Sequence, residues 1–297
     1  MRKLLRICLY VAVALAALTC LAIAGLYVAT SARLNRTYAF EPRPIVIPTS
    51  PDAAERGRHL ARIHLCHECH GADLGGSMFA DIPFTASLPA PNLTRGRGGA
   101  AARYTPRDWA AAVLHGVRPD GRPLVFMPSH ELRRMSDDDL GAIVAFINQL
   151  PPVDREWPSP SVKLGGRLMM VATNDALLPA ELIDHHDARS TPPAPAPTAE
   201  YGEHLASSTG CRSCHRADLS GGAGPPPGAA NITRAGAIKN WSEADFVRAI
   251  RTGRRPNGTE ISPSMPRDFS HLTDLELHAL WLYLQSVPPR PETIAAR

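Results

Sequence analysis

Two pentapeptides, Cys66-His67-Glu68-Cys69-His70 and Cys211-Arg212-Ser213-Cys214-His215, constrain this chain more than any other feature. Two thiols spaced C-x-x-C can add across the two vinyl groups of one haem, and the histidine that follows binds the iron. The spacing is a geometric demand. Both sulfurs must reach one edge of a flat macrocycle while the imidazole points at its centre, and a short helical turn allows that. Structural zinc needs four ligands, typically two pairs sharing one metal. The four cysteines could supply them, but zinc leaves the histidine after each pair unexplained. A thioredoxin-like dithiol belongs in a βαβ context, and nothing in this sequence alternates that way. Two covalently bound haem c groups (iron) are therefore predicted, attached through Cys66, Cys69, Cys211 and Cys214, with His70 and His215 as proximal iron ligands. Cys8 and Cys20 lie in an N-terminal apolar stretch and have no such partner.

The two halves of the chain overlay. Glu55-x-Gly57-x-His59-Leu60 matches Glu200-x-Gly202-x-His204-Leu205, and Asn92-Leu93-Thr94-Arg95 matches Asn231-Ile232-Thr233-Arg234. The offset then settles at 137 residues, placing Thr105 on Ser242, Asp108 on Asp245, Gly116 on Gly253, Gly121 on Gly258 and Pro151-Pro152 on Pro288-Pro289. Such correspondence marks a duplicated domain. In each half a first helix should start near Pro51 or Ala199 and run into the haem motif. A second should begin at Thr105 or Ser242, with an aspartate three residues on for reciprocal capping, and stop at Gly116 or Gly253. A last helix should open at Ser136-x-x-Asp139 or Thr273-x-x-Glu276 and end before the double proline. It carries apolar residues at helical spacing, Leu140, Ile143, Val144, Ile147 and Leu277, Leu280, Trp281, Leu284. No strand-rich region is apparent. The predicted fold is all-α: tandem duplicated haem domains of a dihaem c-type cytochrome behind an N-terminal transmembrane helix. The expected boundaries are an anchor over 1–32, haem domains over 45–152 and 199–291, and an inter-domain segment over 153–198. That segment ends in a stiff proline-rich linker, Thr191 to Thr198. Before the linker, Leu164–Ala172 should form a short helix, and the apolar Leu177–Leu182 should pack against a haem domain.

Residues Ile7 to Ala29 are 23 in a row without a charge, after Arg2, Lys3 and Arg6. A signal-peptide core is usually about 7–15 residues and a membrane span about 20, so length favours an uncleaved anchor over cleavage near Ala29–Ala32. Arginines on both sides leave orientation undecided by charge. The haem motifs decide it, because covalent attachment in bacteria is completed outside the cytoplasmic membrane. The expected location is the bacterial inner membrane, single-pass, with the haem domains in the periplasm. A net charge of +4 with no basic stripe gives nucleic-acid binding no support. Aromatic content of 6% and 29 prolines imply small, loop-rich domains that need the porphyrin as part of their core.

The opposite face of each iron needs a ligand, and a methionine thioether is the usual one in an electron carrier. Met265, in Ser264-Met265-Pro266, is the one methionine of the second half, and Met127-Pro128 holds nearly the same aligned place in the first. Met127 and Met265 are the expected distal ligands. Met78, Met135, Met169 and Met170 read as packing residues. His130 follows Met127 closely and is an alternative ligand, though the second half has Asp268 there. His59 and His204 align and read as structural hydrogen-bonders. His185-His186 reads as solvated, since adjacent helical residues face different ways. The Asn-x-Thr-Arg loops have two readings, arginines on haem propionates or loop-internal capping bonds. Tyr104 and Trp241 fit the same haem edge.

Asn231-Ile232-Thr233-Arg234, the run Trp241 to Ile250, Gly253, Asn257-Gly258, Ser264-Met265-Pro266 and the run Leu275 to Leu284 resemble the class I c-type cytochrome domains of membrane-bound alcohol and gluconate dehydrogenase cytochrome subunits. The resemblance covers both haem halves and implies His/Met ligation and electron transfer to quinone or a terminal oxidase. Those subunits usually carry three haem motifs; this chain has two. The expected function is a non-enzymatic carrier between periplasmic or membrane redox proteins, whether a dehydrogenase, a quinol-oxidising complex or a terminal oxidase. The alternative from another class is a dihaem enzyme such as a cytochrome c peroxidase. It needs one iron with an open face, against which the paired Met-Pro sequences speak. A dihaem sulfur-compound oxidase would want a spare cysteine in a haem domain, and there is none.

Overall fold

The computed structural model describes residues 2–172, 177–222 and 229–291. In chain order its helices are α1 (Arg2–Leu34), α2 (Pro51–Ile63), α3 (Cys66–His70), α4 (Pro106–His115), α5 (Ser129–Leu132), α6 (Asp137–Gln149), α7 (Leu164–Ala172), α8 (Ala199–Ser208), α9 (Cys211–His215), α10 (Glu243–Thr252) and α11 (Asp274–Ser286). The uncharged N-terminal stretch lies wholly within α1, a helix long and apolar enough to cross a membrane, with a mean hydropathy of 2.6 over its most apolar window. Nearly all of α1 stands free of the rest; among its residues only Thr30 is buried.

The local signals that open and close the helices behave as their chemistry requires. Thr105 Oγ1 accepts from the Asp108 amide at 3.2 Å while Asp108 Oδ2 accepts from the Thr105 amide at 2.8 Å. Ser242 and Asp245 repeat the exchange at 3.2 and 3.0 Å. Each such cap is worth about 1 kcal/mol. Gly116 and Gly253 end α4 and α10 at φ 67° and 70°, a left-handed conformation that costs glycine nothing. The first helix of each half departs from expectation, because it does not run into the haem motif. It stops at Ile63 or Ser208; Leu65 (φ 60°) or Gly210 (φ 87°) turns the chain, and the motif occupies a separate one-turn helix.

In each half the first and last helices cross at a glycine. A Cβ on Gly57 would collide with the carbonyl oxygen of Ala142 in α6, and one on Gly202 with that of Ala279 in α11. Only a residue without a side chain lets the backbones approach this closely. Gly202→Val is therefore expected to destabilise the holoprotein by about 3 kcal/mol or more, read as a lowered thermal midpoint. Gly25→Ala, with no atom within 4 Å of the new methyl, should leave the midpoint unchanged.

The halves share one apolar cluster, running from Leu60, Trp109 and Ile143 to Tyr201, Phe246 and Leu280. They meet through matched positions. His59 of α2 bonds Glu276 of α11 at 2.9 Å, and Arg62 reaches Asp268 at 3.5 Å. In the reciprocal contact, a methyl on Gly210, just before the second motif, would lie 3.1 Å from Glu131 Oε2. Glu131 falls on Asp268 at the offset of 137 residues, and His130 does at the offset of 138 that aligns Met127 with Met265. The turn before each haem motif thus abuts the segment that follows the Met-Pro of the other half.

The all-α expectation holds only coarsely. The first half carries an antiparallel hairpin, β1 (Ser77–Ile82) and β2 (Ala86–Ala90), extended by β3 (Ser161–Val162). Its residues fall where the first half is longer, between His70 and Asn92 against His215 and Asn231. A register shift between Met78 and Ala80 breaks the alternation that would have marked a strand. The inter-domain segment packs on the first half, as its apolarity implied. The Phe126 amide donates to Leu177 O at 2.9 Å, and the Arg189 guanidinium binds Arg133 O, Met135 O and Asp137.

Candidate haem sites

Both predicted proximal histidines are held the same way. His70 is 5% exposed and His215 8%. His70 Nδ1 lies 2.8 Å from Pro91 O and His215 Nδ1 2.6 Å from Ala230 O. A carbonyl can only accept, so Nδ1 carries the proton and Nε2 keeps its lone pair. Among the described residues neither Nε2 has a hydrogen-bond partner. Iron-binding imidazoles are commonly oriented this way, one nitrogen donating to a carbonyl and the other free for the metal. Burial pushes both imidazoles down towards the neutral form, the form that ligates.

The acceptor carbonyls are fixed by the residues that follow them. Asn92 Oδ1 accepts from the amide and hydroxyl of Thr94 at 2.8 and 2.9 Å, and Asn231 Oδ1 from those of Thr233 at 2.9 and 2.7 Å. The other ends of the amides reach the chain just past each double proline: Asn92 Nδ2 donates to Val153 O at 2.6 Å, and Asn231 Nδ2 to Arg290 O at 2.8 Å. Asn92 and Thr94 are 1% and 0% exposed. Of the two readings of this loop, the capping one describes the asparagines and threonines. Arg95 and Arg234 are exposed and make no ion pair among the described residues. The carbonyls of Pro91 and Ala230 were not legible as histidine partners, although each immediately precedes the matched asparagine.

The surroundings of the four cysteines favour an uncharged sulfur. Burial raises Cys66 to about 12, Cys69 to about 11 and Cys211 to about 11, and raises Cys214 too. A neutral sulfur attached to a vinyl carbon tolerates that environment. Among the described residues no group of three or more His, Cys, Asp or Glu side chains is placed to hold a metal ion. The donor set of each half therefore fits haem: a neutral buried imidazole with a free nitrogen, and two uncharged thiols on one helical turn.

Met127 and Met265 are half-buried and pack against the shared core. Each precedes a proline and a short helix, α5 in the first half and a 3-10 turn over Arg267–His271 in the second. Met135 and Met170, each 1% exposed, are core residues as expected, but Met78 and Met169 are 42% and 46% exposed and do not belong to the interior. His130 leans towards Glu131 of its own helix at 3.6 Å. His59 makes the structural bond to Glu276 described above, while His204 stacks near Tyr201 with centroids 6.2 Å apart. Tyr104 packs edge-on to Trp109 at 5.3 Å. His185 corrects its expected solvation. Its Nδ1 lies 3.2 Å from His115 Nδ1, its Nε2 3.1 Å from Ala180 O, and its ring packs on Phe40 and Tyr38. Those neighbours come from distant parts of the chain, out of reach of a local reading. His186 is exposed.

Comparison with known proteins gives two family matches. Residues 52–147 match the family of cytochrome c oxidase, cbb3-type, subunit III, and residues 199–288 match the cytochrome c family. The chain is 28% identical over 284 residues to the cytochrome c subunit of an alcohol dehydrogenase (quinone) of Gluconacetobacter polyoxogenes, covering 82% of this chain and 58% of that protein. It is 26% identical over 287 residues to the fructose dehydrogenase cytochrome subunit of Gluconobacter japonicus, covering 83% and 56%. It therefore spans little more than half the length of these dehydrogenase subunits. It is also 24% identical over 272 residues to a diheme cytochrome c-type protein of Cereibacter sphaeroides, covering 79% of this chain and 86% of that one.

Proposed function

We propose that this chain, which carries two cytochrome c domains and with them two covalently bound haem c groups, is a membrane-anchored dihaem electron carrier of the periplasm with no chemistry of its own. Its units are an anchor over 1–32, haem domains over 45–152 and 199–291, and a connecting segment over 153–198. Cys66 and Cys69 hold one haem and Cys211 and Cys214 the other, with His70 and Met127 on one iron and His215 and Met265 on the second. One observation carries this reading: both halves repeat a buried histidine whose Nδ1 bonds a backbone carbonyl and whose Nε2 has no hydrogen-bond partner among the described residues, together with a half-buried Met-Pro at nearly the same aligned place. When bound, haem supplies one-electron oxidation and reduction. The cysteines would attach it, and the carbonyls of Pro91 and Ala230 would hold each imidazole in one tautomer. Relatives that are cytochrome subunits of dehydrogenases support a dehydrogenase as one redox partner; a quinol-oxidising complex or a terminal oxidase is the other partner of this reading.

The competing enzyme, a peroxidase, requires a vacant iron face. The oxidised holoprotein is expected to consume hydrogen peroxide only very slowly, because peroxide must first displace a methionine. Efficient turnover with an added electron donor, or a high-spin signal from one haem of the untreated protein, would replace the carrier reading by the enzymatic one.

A further inference from the structure

The surface at the foot of α1 is more apolar than a water-exposed surface needs to be. Along α7, Leu164, Leu168 and Val171 lie at i, i+4 and i+7, hence on one face, and are 38%, 54% and 61% exposed. Phe84, at the tip of the hairpin, is 83% exposed and is held at φ 61°. The two belong to one unit, since the Gly165 amide donates to Phe84 O at 2.7 Å and β3 pairs with β2 just before α7 begins.

This unit is fastened to the last turns of α1. The Arg167 guanidinium donates to Thr30 Oγ1 at 2.6 Å and Ser31 Oγ at 3.1 Å, and sits 4.3 Å from the centre of the Tyr27 ring. From the other side Arg33 donates to Met170 O and pairs with Glu181 at 2.5 Å. Arg167 thus meets residues 27–31 of α1 and Met170 meets residue 33, so α7 runs beside α1 in the same direction. Its first turn and the neighbouring Phe84 therefore point back towards the apolar stretch that ends at Ala29. A hydrocarbon core about 30 Å thick takes about 20 helical residues, which puts Tyr27 at the headgroup level where aromatic residues collect.

We propose that Phe84 and the N-terminal end of α7, at Leu164 and Leu168, form a second membrane contact, an interfacial one, that seats the first haem half on the lipid surface at the foot of α1. The occupant is phospholipid at the headgroup–acyl boundary, and what assigns it is the continuity of this face with the spanning helix. A single helix would let the haem half swing freely, whereas two contacts fix which side of it faces the bilayer. The inference rests on the membrane-anchor reading given above.

The test uses full-length holoprotein in vesicles of phosphatidylethanolamine and phosphatidylglycerol that contain a phospholipid with a diazirine near the top of its acyl chain. After irradiation, adducts are mapped by mass spectrometry. Adducts are expected on α1, on the peptide containing Phe84 and on Leu164–Ala172. The variant F84S/L164S/L168S should lose the last two and keep those on α1. Adducts on α1 alone would overturn the inference and leave the anchor standing. In that case protection of these side chains from hydroxyl-radical labelling would assign the face to a protein partner, and their labelling would assign it to water. Absence of adducts from α1 itself would remove the anchor and this contact together.

Discussion

Replacing Cys66 and Cys69 together by serine should remove one of two covalent haems, and replacing Cys211 and Cys214 should remove the other. Expressed with cytochrome c maturation machinery, the wild-type protein is expected to keep both through denaturing gel electrophoresis, and each double variant to keep one. The structural consequence should exceed a local loss. Each motif sits on a one-turn helix whose histidine is tied to the carbonyl before the Asn-x-Thr loop, and that loop is tied to the chain past the double proline. Haem bound only by the folded form stabilises it by mass action, and covalent attachment makes the effective concentration high. Because one apolar cluster runs through both halves, the half that keeps its haem should also melt at a lower temperature. Retention of both haems by either double variant would end the assignment of these cysteines.

The second large effect is expected from Met265→Ala. Removing the thioether should leave one iron open or differently ligated, lower its midpoint potential and leave the other haem nearly unchanged. Axial ligands tune haem potentials over about 0.8 V in all, so a shift on the order of 0.1 V is expected at the affected haem. Met127→Ala should do the same to the other haem. Met78→Ala, at an exposed side chain of the hairpin, is the control and should move neither. Equal shifts of both potentials in Met265→Ala would indicate a general loosening of the shared core instead of loss of a ligand.

Much of this was legible because it is local. A capping serine or threonine with its acidic partner three residues on, a glycine at the helix end and a double proline each act within a few residues, and each acts alike in both halves. The haem motifs are local too. What escaped depends on groups far apart in sequence or on the backbone. Gly57 and Gly202 were visible as a matched pair, but the carbonyls of Ala142 and Ala279 that require them lie on another helix. The acceptors of the histidine protons are backbone oxygens of Pro91 and Ala230, which no side chain announces. The hairpin was hidden by the register shift near Met78. His185 looked solvated because its partners, His115 and Phe40, arrive from other segments.

The central claim, two six-coordinate irons each between a histidine and a methionine, is most directly tested by the near-infrared spectrum of the oxidised wild-type protein. The weak sulfur-to-iron charge-transfer band should be present at an intensity corresponding to both haems. It should fall by half in Met265→Ala and by half in Met127→Ala. A wild-type band accounting for one haem only, with the second iron high-spin or held by two nitrogens, would contradict the account.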